Sequence, residues 1–482
     1  ATVVPGQRVS IRVTGWTADS DSTRRLPFVT AAGGGVSSDT TSGAAANANA
    51  GSRLSSSRSF VWVLPDSLAP TIPYFLQLPR IGAMYQWPVD EVAVWGDPFE
   101  PPPVVANPYD SRDIWGSVEV TYRTNNPAQG ELRRPLTVVP RIDVKLDPAD
   151  GVWALGSPAA HDFTVTLTHG ASDPTSGTVR LELPEGWPQV KSQLFRFTTE
   201  DERQSFGFQV HAPVRLAAGS YEVRAIAEDG KGGRYDQGIF TVDYPHIRPR
   251  TYPRASVARI NVAAIVMPRL ARVGYIRGAA DEVPEALGGA GVPIELLDRA
   301  ILAHGDLSKY SAIVIGPRAY EVDTALVQNN ARLLDYVRRG GLLLVQYQQQ
   351  PFYRGGFAPA PISLAAQGPA DRVTDETAAV KSLAPTDPAL TTPNRIAASD
   401  WDGWIQERGL YFPHSWDKSY RPLLEMHDPG EAPLQGGLLV SRVGKGTYVL
   451  TGLSFFRQLP AGVPGAFRLF ANLLALQPAA TP

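Results

Sequence analysis

Polar and apolar residues alternate in short runs through the first half of the chain. Side chains on a strand point in turn to the two faces of a sheet, so a period of two predicts strands with one buried face. Turn residues separate these runs at short intervals, which predicts antiparallel β-sandwiches, and no convincing helical pattern interrupts them. The runs are Arg8–Thr14, Ser117–Tyr122, Phe163–Thr168, Thr178–Leu183, Phe206–His211 and Tyr221–Ala227.

This β-rich half divides into two units. Arg134–Pro140 ends the first unit, Arg141–Leu146 opens the second, and Gly238–Tyr244 closes it. The sequence therefore predicts a β-sandwich over residues 1–140 and a second, Ig-like sandwich over residues 141–245.

The first unit carries two unusual segments. Residues 33–57 are low in complexity and rich in Gly, Ser and Ala, which predicts a flexible insertion that either stays on the surface or binds a partner. Residues 65–103 are rich in Pro and aromatic residues. Such a segment suits a long loop packed on a sandwich, and its aromatic rings also suit sugar stacking.

The pattern changes after the proline-rich linker Tyr244–Pro253. The apolar positions of Ala325–Arg339 recur at helical spacing, and two glycines end that helix. Alternating strands and helices with short connections predict a parallel, flavodoxin-like α/β domain over residues 246–482. Its predicted strands are Arg272–Arg277, Gly291–Leu297, Tyr310–Gly316, Leu342–Tyr347, Gly437–Val443 and Gly446–Gly452, followed by a helix over Pro464–Leu476.

Composition narrows the classes of function. The 482 residues include 45 Lys and Arg against 47 Asp and Glu, so there is no excess of positive charge for nucleic acid or an anionic membrane. The absence of Cys excludes disulfides, thiolate nucleophiles and Cys-bound metals. No apolar run approaches the ~20 residues of a membrane span. The chain opens at Ala1 without Met, which predicts a processed product or part of a longer protein.

Several longer segments resemble one protein family. They include Val273–Pro284, Gly316–Glu321, Trp401–Leu410 and Tyr448–Gly465. These segments resemble the C-terminal portion of large bacterial PIG-L (LmbE-like) deacetylases, where a zinc-dependent N-deacetylase domain precedes β-sandwich modules and a class I glutamine amidotransferase-like domain. The resemblance covers nearly the whole chain apart from residues 37–57. It implies the same order of modules here, without the deacetylase domain.

The motifs that carry chemistry in this family do not occur in the chain. The family's deacetylase domain binds zinc through an Ala-His-Pro-Asp-Asp sequence and a His-x-x-His pair, and neither is present. Amidotransferases need a Cys nucleophile, and no Gly-x-Ser-x-Gly elbow replaces it. The resemblance therefore implies that zinc belongs only to the missing deacetylase domain. This chain alone is expected to hold no cofactor, no metal and no catalytic residue.

Candidate ligand-binding residues come from the rule that open parallel sheets bind ligands beyond the carboxyl ends of their strands. Acidic, guanidinium and aromatic groups together suit a sugar or another small polar ligand. Alternatively, they form a buried ion-pair network or an interface with a neighbouring domain. A hydrolytic carboxylate pair is a weaker interpretation, because adjacent residues on a helix point in different directions. The residues are Asp281, Glu282, Arg318, Tyr320, Gln346, Tyr347, Trp401 and Trp404.

Two functional hypotheses follow. In the first, the chain is a non-catalytic accessory region that positions a glycan for an N-deacetylase domain encoded upstream. In the second, it is a structural or interaction subunit of a larger extracellular or envelope assembly, with residues 33–57 and the aromatic loop as contact surfaces. The expected partners are a glycan, the deacetylase domain or other subunits, and neither nucleic acid nor a membrane span. The resemblance implies a secreted, periplasmic or cell-envelope location in bacteria.

Overall fold

The computed structural model describes residues 137–476 apart from 158, 245 and 248. Before them it describes residues 2–17, 54–64 and 121–135 apart from 129, together with shorter pieces. Strands outnumber helices in the described residues, which confirms the predicted β-rich character. Most of the predicted insertion 33–57 and of the Pro-rich and aromatic segment 65–103 lies outside the described residues.

The described part of the first unit contains ten strands. The longest pairing joins β2 and β5 in antiparallel register, and β1 pairs in parallel with β10. The strands are β1 (Thr2–Val3), β2 (Arg8–Thr17), β3 (Thr30–Ala31), β4 (Val36–Ser37), β5 (Leu54–Val63), β6 (Val105–Asn107), β7 (Val118–Glu119), β8 (Thr121–Asn126), β9 (Gly130–Pro135) and β10 (Thr137–Val138).

The next eleven strands include two sheets that share one core. They are β11 (Ile142–Asp147), β12 (Asp150–Ala154), β13 (Ala160–His169), β14 (Thr175–Glu182), β15 (Gln193–Phe197), β16 (Arg203–His211), β17 (Gly219–Asp229), β18 (Arg234–Tyr235), β19 (Gln237–Val242), β20 (Arg250–Ala255) and β21 (Val257–Ala263). One sheet has the order β11-β13-β16, and the other has the order β12-β21-β17-β14-β15 with β18 on β17. Alternate side chains of both sheets, such as Val144, Val165 and Val223, meet in the core.

The larger sheet extends past residue 245, where the second unit was predicted to end. β21 pairs in parallel with β12 and antiparallel with β17, and β20 pairs with β19. This sheet therefore ends at Ala263, and part of the predicted linker is strand. The sequence did not reveal this, because the partners of β21 lie far from it along the chain.

The remaining residues build a sheet with helices between its strands. The elements are β22 (Val273–Ile276), α1 (Val283–Gly289), β23 (Ile294–Leu296), α2 (Arg299–His304), β24 (Ala312–Ile315), α3 (Ala319–Val322), α4 (Thr324–Arg338), β25 (Leu342–Val345), α5 (Gln350–Arg354), β26 (Ile362–Ser363), β27 (Asp371–Val373), β28 (Val380–Ser382), α6 (Pro388–Thr391), β29 (Gly409–Phe412), β30 (Ser415–Trp416), β31 (Tyr420–Pro422), β32 (Leu424–Met426), β33 (Leu438–Val443), β34 (Gly446–Thr451), α7 (Phe455–Gln458) and α8 (Pro464–Leu474). Two single 3₁₀ turns, Leu307–Lys309 and Ala398–Trp401, complete them.

Seven of these strands form the main sheet in the order β23-β22-β24-β25-β34-β33-β31. The first five are parallel, whereas β33 and β31 pair antiparallel with their neighbours. The chain order reverses at β22, because β23 and β24 both follow it in sequence and lie on either side of it. In the part of the chain that the structure describes, no helix is both long and apolar enough to cross a membrane.

Both faces of the parallel strands are buried. Ala312 and Val314 of β24 enter one core, which α1 and α8 cover, whereas Ile313 and Ile315 enter a second core covered by α2 and α4. Every position of such a strand is apolar, which explains the continuous runs in the sequence. The helix α4 lies within one residue of the predicted range at each end.

The two-sheet unit packs directly against the main sheet. Val152 of β12 and Ile265 belong to the same buried core as Val283 of α1. The side-chain amide of Asn261 in β21 donates a hydrogen bond of 2.8 Å to the carbonyl of Gly462, which precedes α8. The sheet edge formed by β12 and β21 thus covers apolar surface of the helices α1 and α8.

A histidine lies close to this contact. The ring of His161 stacks on Trp153 of β12, with 3.9 Å between the ring centroids. Burial lowers the pKa of His161 to about 4, and hydrogen bonding to the backbone of Gly289 in α1 offsets part of this effect. The neutral imidazole is therefore the form that the folded protein favours.

The loops after β22 and β24 cross in close contact. The amide of Ala279 donates a hydrogen bond of 2.9 Å to the carbonyl of Pro317. A Cβ atom on Gly316 would lie 2.1 Å from Oδ2 of Asp281 and 2.6 Å from the amide nitrogen of Gly278. Only glycine fits at this crossing, because any side chain would push two backbones apart.

Replacing Gly316 with alanine should therefore destabilise the fold. We expect Gly316→Ala to cost about 2 kcal/mol or more, because the added methyl overlaps backbone and a buried carboxylate. Gly288→Ala is the matched control: its Cβ meets nothing within 4 Å, and alanine in a helix should stabilise by about 0.5–1 kcal/mol. Urea denaturation of both variants measures the difference. Equal stability of the two would contradict the close crossing.

Stability should also depend on His161 below neutral pH. Because the pKa of His161 lies below its ordinary value of 6.5, the unfolded chain binds its proton first as the pH falls. The wild type should lose this part of its stability between about pH 6.5 and pH 4. His161→Phe keeps a ring on Trp153 and should remove that component, whereas His246→Gln at an exposed position should follow the wild type. Urea midpoints measured across this range test the prediction, and parallel curves for His161→Phe and wild type would refute it.

Candidate functional site

Six of the eight predicted site residues follow parallel strands at one edge of the main sheet. Asp281 and Glu282 follow β22, Arg318 and Tyr320 follow β24, and Gln346 and Tyr347 follow β25. We call this the carboxyl edge. The structure brings only some of these side chains together, and it buries several of them.

The Asp281 carboxylate is buried and surrounded by donors. Its residue is 5% exposed. The amides of Gly278 and Val283 donate to it over 2.9 and 3.1 Å, and the Tyr275 hydroxyl donates over 2.9 Å to the nearer oxygen. Burial raises the pKa of Asp281, and these donors limit the increase. Both carboxylate oxygens therefore already accept hydrogen bonds from the protein itself.

Gln346 belongs to the same network. Its Nε2 donates a hydrogen bond of 2.8 Å to the Tyr275 hydroxyl, which in turn donates to Asp281. Burial and the neighbouring Asp281 charge raise the pKa of Tyr275 well above its usual value, so the phenol keeps its proton. The other amide atom, Oε1 of Gln346, is buried and has no hydrogen-bond partner among the described residues. The network joins the ends of β22 and β25 across β24.

The space where the chain order reverses is therefore occupied by the protein. Open sheets bind ligands at such a point, but here the crossing of Gly278 and Gly316 fills it. Glu282 is exposed and does not share the environment of Asp281. The adjacent carboxylates thus do not face each other across a cleft, as glycoside hydrolysis requires.

Arg318 and Tyr320 lie in different environments. Tyr320 is buried in the second core, where it stacks on Phe357 at 4.8 Å and donates a hydrogen bond of 2.6 Å to Asn330. The side chain of Arg318 is 42% exposed and pairs with Glu321 at 2.8 Å. Only Arg318 of this pair reaches the surface at the carboxyl edge.

Aromatic rings gather around Tyr347 at the ends of β25 and β34. The rings of Tyr411 and Phe456 lie 5.7 and 5.4 Å from it, between centroids. Arg457 lies 4.9 Å from the centroid of Phe456. Hydrogen bonding to Glu321 raises the pKa of Arg318, and the nearby phenols of Tyr347 and Tyr411 add to this. We call Arg318, Tyr347, Tyr411, Phe456 and Arg457 the edge platform; Tyr347 is buried, whereas Tyr411 and Phe456 are partly exposed.

Sequence reasoning missed three members of the edge platform. Phe456 and Arg457 lie in α7, the short helix that follows β34. The carboxyl-end rule would have nominated them, since β34 is the fifth parallel strand. Tyr411 offers no such signal, because it comes from the long segment between β25 and β33.

The backbone at this edge is strained. Arg318 has a φ of 56° and Tyr411 a φ of 51°, in the left-handed region that favours glycine. Gln406, with a φ of 65°, precedes Glu407, which pairs with Arg457 at 2.6 Å. These are three of five non-glycine residues with positive φ in the described part of the chain. Strained residues concentrate at functional sites.

Trp401 and Trp404 do not belong to the edge. They are 7% and 3% exposed, and their ring centroids lie 4.9 Å apart in the first core. The guanidinium of Arg408 lies 5.8 Å from each ring, and it donates to the carbonyl of Trp401. Protein covers most of both rings, so little of either ring is accessible to a sugar.

Two further polar side chains, Ser454 and Asp428, make structural hydrogen bonds. Ser454 is buried, and its hydroxyl donates a hydrogen bond of 2.8 Å to the carbonyl of Glu407. The Asp428 carboxylate accepts hydrogen bonds of 2.8 Å from the backbone amide and the hydroxyl of Thr374, 54 positions earlier in the chain. Within the residues that the structure describes, no three His, Asp or Glu side chains are placed to hold a metal ion.

Comparisons with known proteins identify no family. No family profile matches the chain, and no curated protein sequence matches it. Among solved structures, the chain is similar to a β-galactosidase from Rahnella sp. R3, with 16% identity over 43% of this chain and 32% of that one and a TM-score of 0.27. The chain is also similar to the exo-β-1,4-mannosidase Op5Man5 from Opitutaceae bacterium strain TAV5. The identity is 15% over 44% of this chain and 35% of that one, and the TM-score is 0.26.

The apo Calx CBD1 domain matches 25% of this chain and 95% of that one, at 11% identity and a TM-score of 0.16. The chain spans about a third of the length of the two enzymes. None of the three TM-scores is high enough to establish a shared overall fold.

The buried network should respond to loss of its central hydroxyl. Tyr275→Phe leaves Nε2 of Gln346 without its partner and removes one donor from Asp281, so we expect a cost of about 1–3 kcal/mol. Adding Gln346→Leu should cost less than the sum of the two single changes, because both partners then become apolar. Tyr244→Phe, at a residue that is 57% exposed, should stay within about 0.5 kcal/mol of wild type. Chemical denaturation measures all four variants, and additive costs would contradict a coupled network.

Proposed function

We propose that this chain is a non-catalytic accessory region that binds a glycan and presents it to an N-deacetylase domain of the PIG-L type. The observation that carries the proposal is the edge platform: partly exposed aromatic rings flanked by two arginines at the carboxyl edge. Aromatic rings stack on the apolar faces of sugar rings, and guanidinium groups donate hydrogen bonds to hydroxyl and carbonyl oxygens.

The state of the acidic groups supports binding over hydrolysis by this chain. Asp281 is enclosed by its own donors, and the crossing of Gly278 and Gly316 leaves no cleft beside it. Arg318 and Arg457 are each paired with a glutamate. The local charge is therefore balanced, which favours an uncharged saccharide over an anionic one.

The proposal includes the module order that the sequence suggests. Two β-sandwiches precede an α/β domain of the flavodoxin-like or amidotransferase-like type, and the strand order with its reversal at β22 supports that winding. Zinc would belong to the deacetylase domain and not to this chain. A secreted, periplasmic or envelope location follows from the same family resemblance.

Binding to a defined oligosaccharide tests the proposal. We expect wild type to bind chitotetraose, an N-acetylated oligosaccharide, in isothermal titration calorimetry. Tyr411→Asn keeps a residue that tolerates the left-handed backbone but removes the ring, and it should weaken binding about fivefold or more. Tyr244→Ala removes an aromatic ring that is exposed elsewhere and should bind as wild type does.

Two results would count against the proposal. If wild type binds neither chitotetraose nor any saccharide of a glycan array, an accessory glycan-binding role is wrong. If the purified chain by itself removes acetyl groups from chitotetraose, the non-catalytic part is wrong.

A further inference from the structure

A groove adjoins the edge platform and involves none of the residues predicted from the sequence. It lies between α5 and the pair formed by β26 and β30, and its volume is about 660 Å³. This is within the range of about 300–1,000 Å³ that is typical of ligand-binding clefts. Rings and prolines form its walls, including Tyr353, Phe357 and Trp416.

The aromatic side chains of the walls are held in place by the second core. Tyr353, Phe357 and Trp416 are partly exposed, and they pack against the second core. Phe352 lies edge-on to Tyr353 at 5.1 Å and tilted to Phe357 at 6.5 Å. These contacts fix the ring directions before any ligand arrives, so little side-chain entropy is lost on binding.

The rim of the groove is polar. The hydroxyls of Ser363 and Ser415 lie 2.8 Å apart, and both residues are exposed. Oδ1 of Asp417 accepts a hydrogen bond of 2.9 Å from the amide of Ser419. Asp417 is the only charged residue among the described residues that line the groove. Rings in the wall with hydroxyls and one carboxylate at the rim match a saccharide without anionic groups.

One tyrosine connects the groove to the edge platform. Tyr353 lines the groove, and its hydroxyl donates a hydrogen bond of 3.0 Å to the carbonyl of Tyr411. The groove and the edge platform are therefore neighbours, because a residue that lines the groove binds the backbone of a residue of the platform. A ligand that occupies both must be longer than one sugar ring.

We propose that the groove is a second saccharide subsite, in which a sugar ring stacks on Trp416 and donates hydroxyl hydrogen bonds to Asp417. Together with the edge platform it recognises a saccharide chain of several units without anionic groups. This inference rests on the proposed glycan-binding function, and it adds both the site and the class of ligand. A site made of two adjoining subsites binds a chain more tightly than either subsite alone.

Chain length and charge provide the test. We expect the affinity of wild type in calorimetry to increase about tenfold from chitobiose to chitohexaose, and oligogalacturonate of similar length to bind much more weakly. Trp416→Ala should abolish the gain with length, because a longer chain then contacts only the edge platform. Trp416→Phe should restore part of the gain.

A second variant tests the same groove independently, in case Trp416→Ala does not fold. Ser363→Arg places a long charged side chain at the exposed rim without touching the core, and it should also remove the gain with chain length. Ser308→Arg, at an exposed serine outside the groove, is its matched control and should keep the gain. Circular dichroism and the urea midpoint identify any variant that is unfolded.

The outcomes separate this inference from the proposed function. If wild type binds no oligosaccharide, the proposed function itself is wrong. If wild type binds but the affinity is the same for chitobiose and chitohexaose, or if both Trp416→Ala and Ser363→Arg keep the gain, only the groove is wrong. Binding of a proline-rich peptide in the groove, with no competition from chitohexaose, would also overturn it.

Discussion

Burial of both faces of the parallel strands is the constraint on which the main sheet depends. Ile313 and Val314 are neighbours in β24, yet they enter different cores. Such a strand has no solvent face, so polar side chains are displaced to its ends. Helices must cover each face, and on one side the two-sheet unit contributes Val152 to the same core, as does Ile265 just after its last strand. The position of that unit and the polar character of the carboxyl edge thus have one common cause.

Polar residues at the end of a buried strand serve two purposes that look alike in a sequence. Asp281 and Gln346 are linked through the Tyr275 hydroxyl, and this link holds the ends of two strands in place. Arg318 lies at the same edge with an exposed guanidinium. The two purposes differ in where the hydrogen bonds go. A buried polar group that bonds to the protein itself supports the fold. A polar group that can still donate or accept hydrogen bonds at the surface can contact a ligand.

The parallel strands and α4 were predictable because their signals are local. A continuous apolar run marks a strand covered twice, and the spacing of Leu326, Leu333 and Val337 marks one buried stripe on a helix. The burial of Trp401 and Trp404 was not predictable, because the segment Asp400–Arg408 that contains them is rich in charged residues. In the structure Arg408 crosses over both rings, and its own hydrogen bonds go to backbone carbonyls.

The sequence by itself determined that the chain is rich in strands, that its C-terminal part alternates strands with helices, and that no thiol chemistry is available. These follow from periodicity and composition, which need no knowledge of distant contacts. Only the tertiary structure decided that β21 joins the earlier sheet, that the reversal point is filled by Gly278 and Gly316, and that Trp416 lines a groove. Each of these depends on residues far apart along the chain, and their packing is set by shape rather than by local pattern.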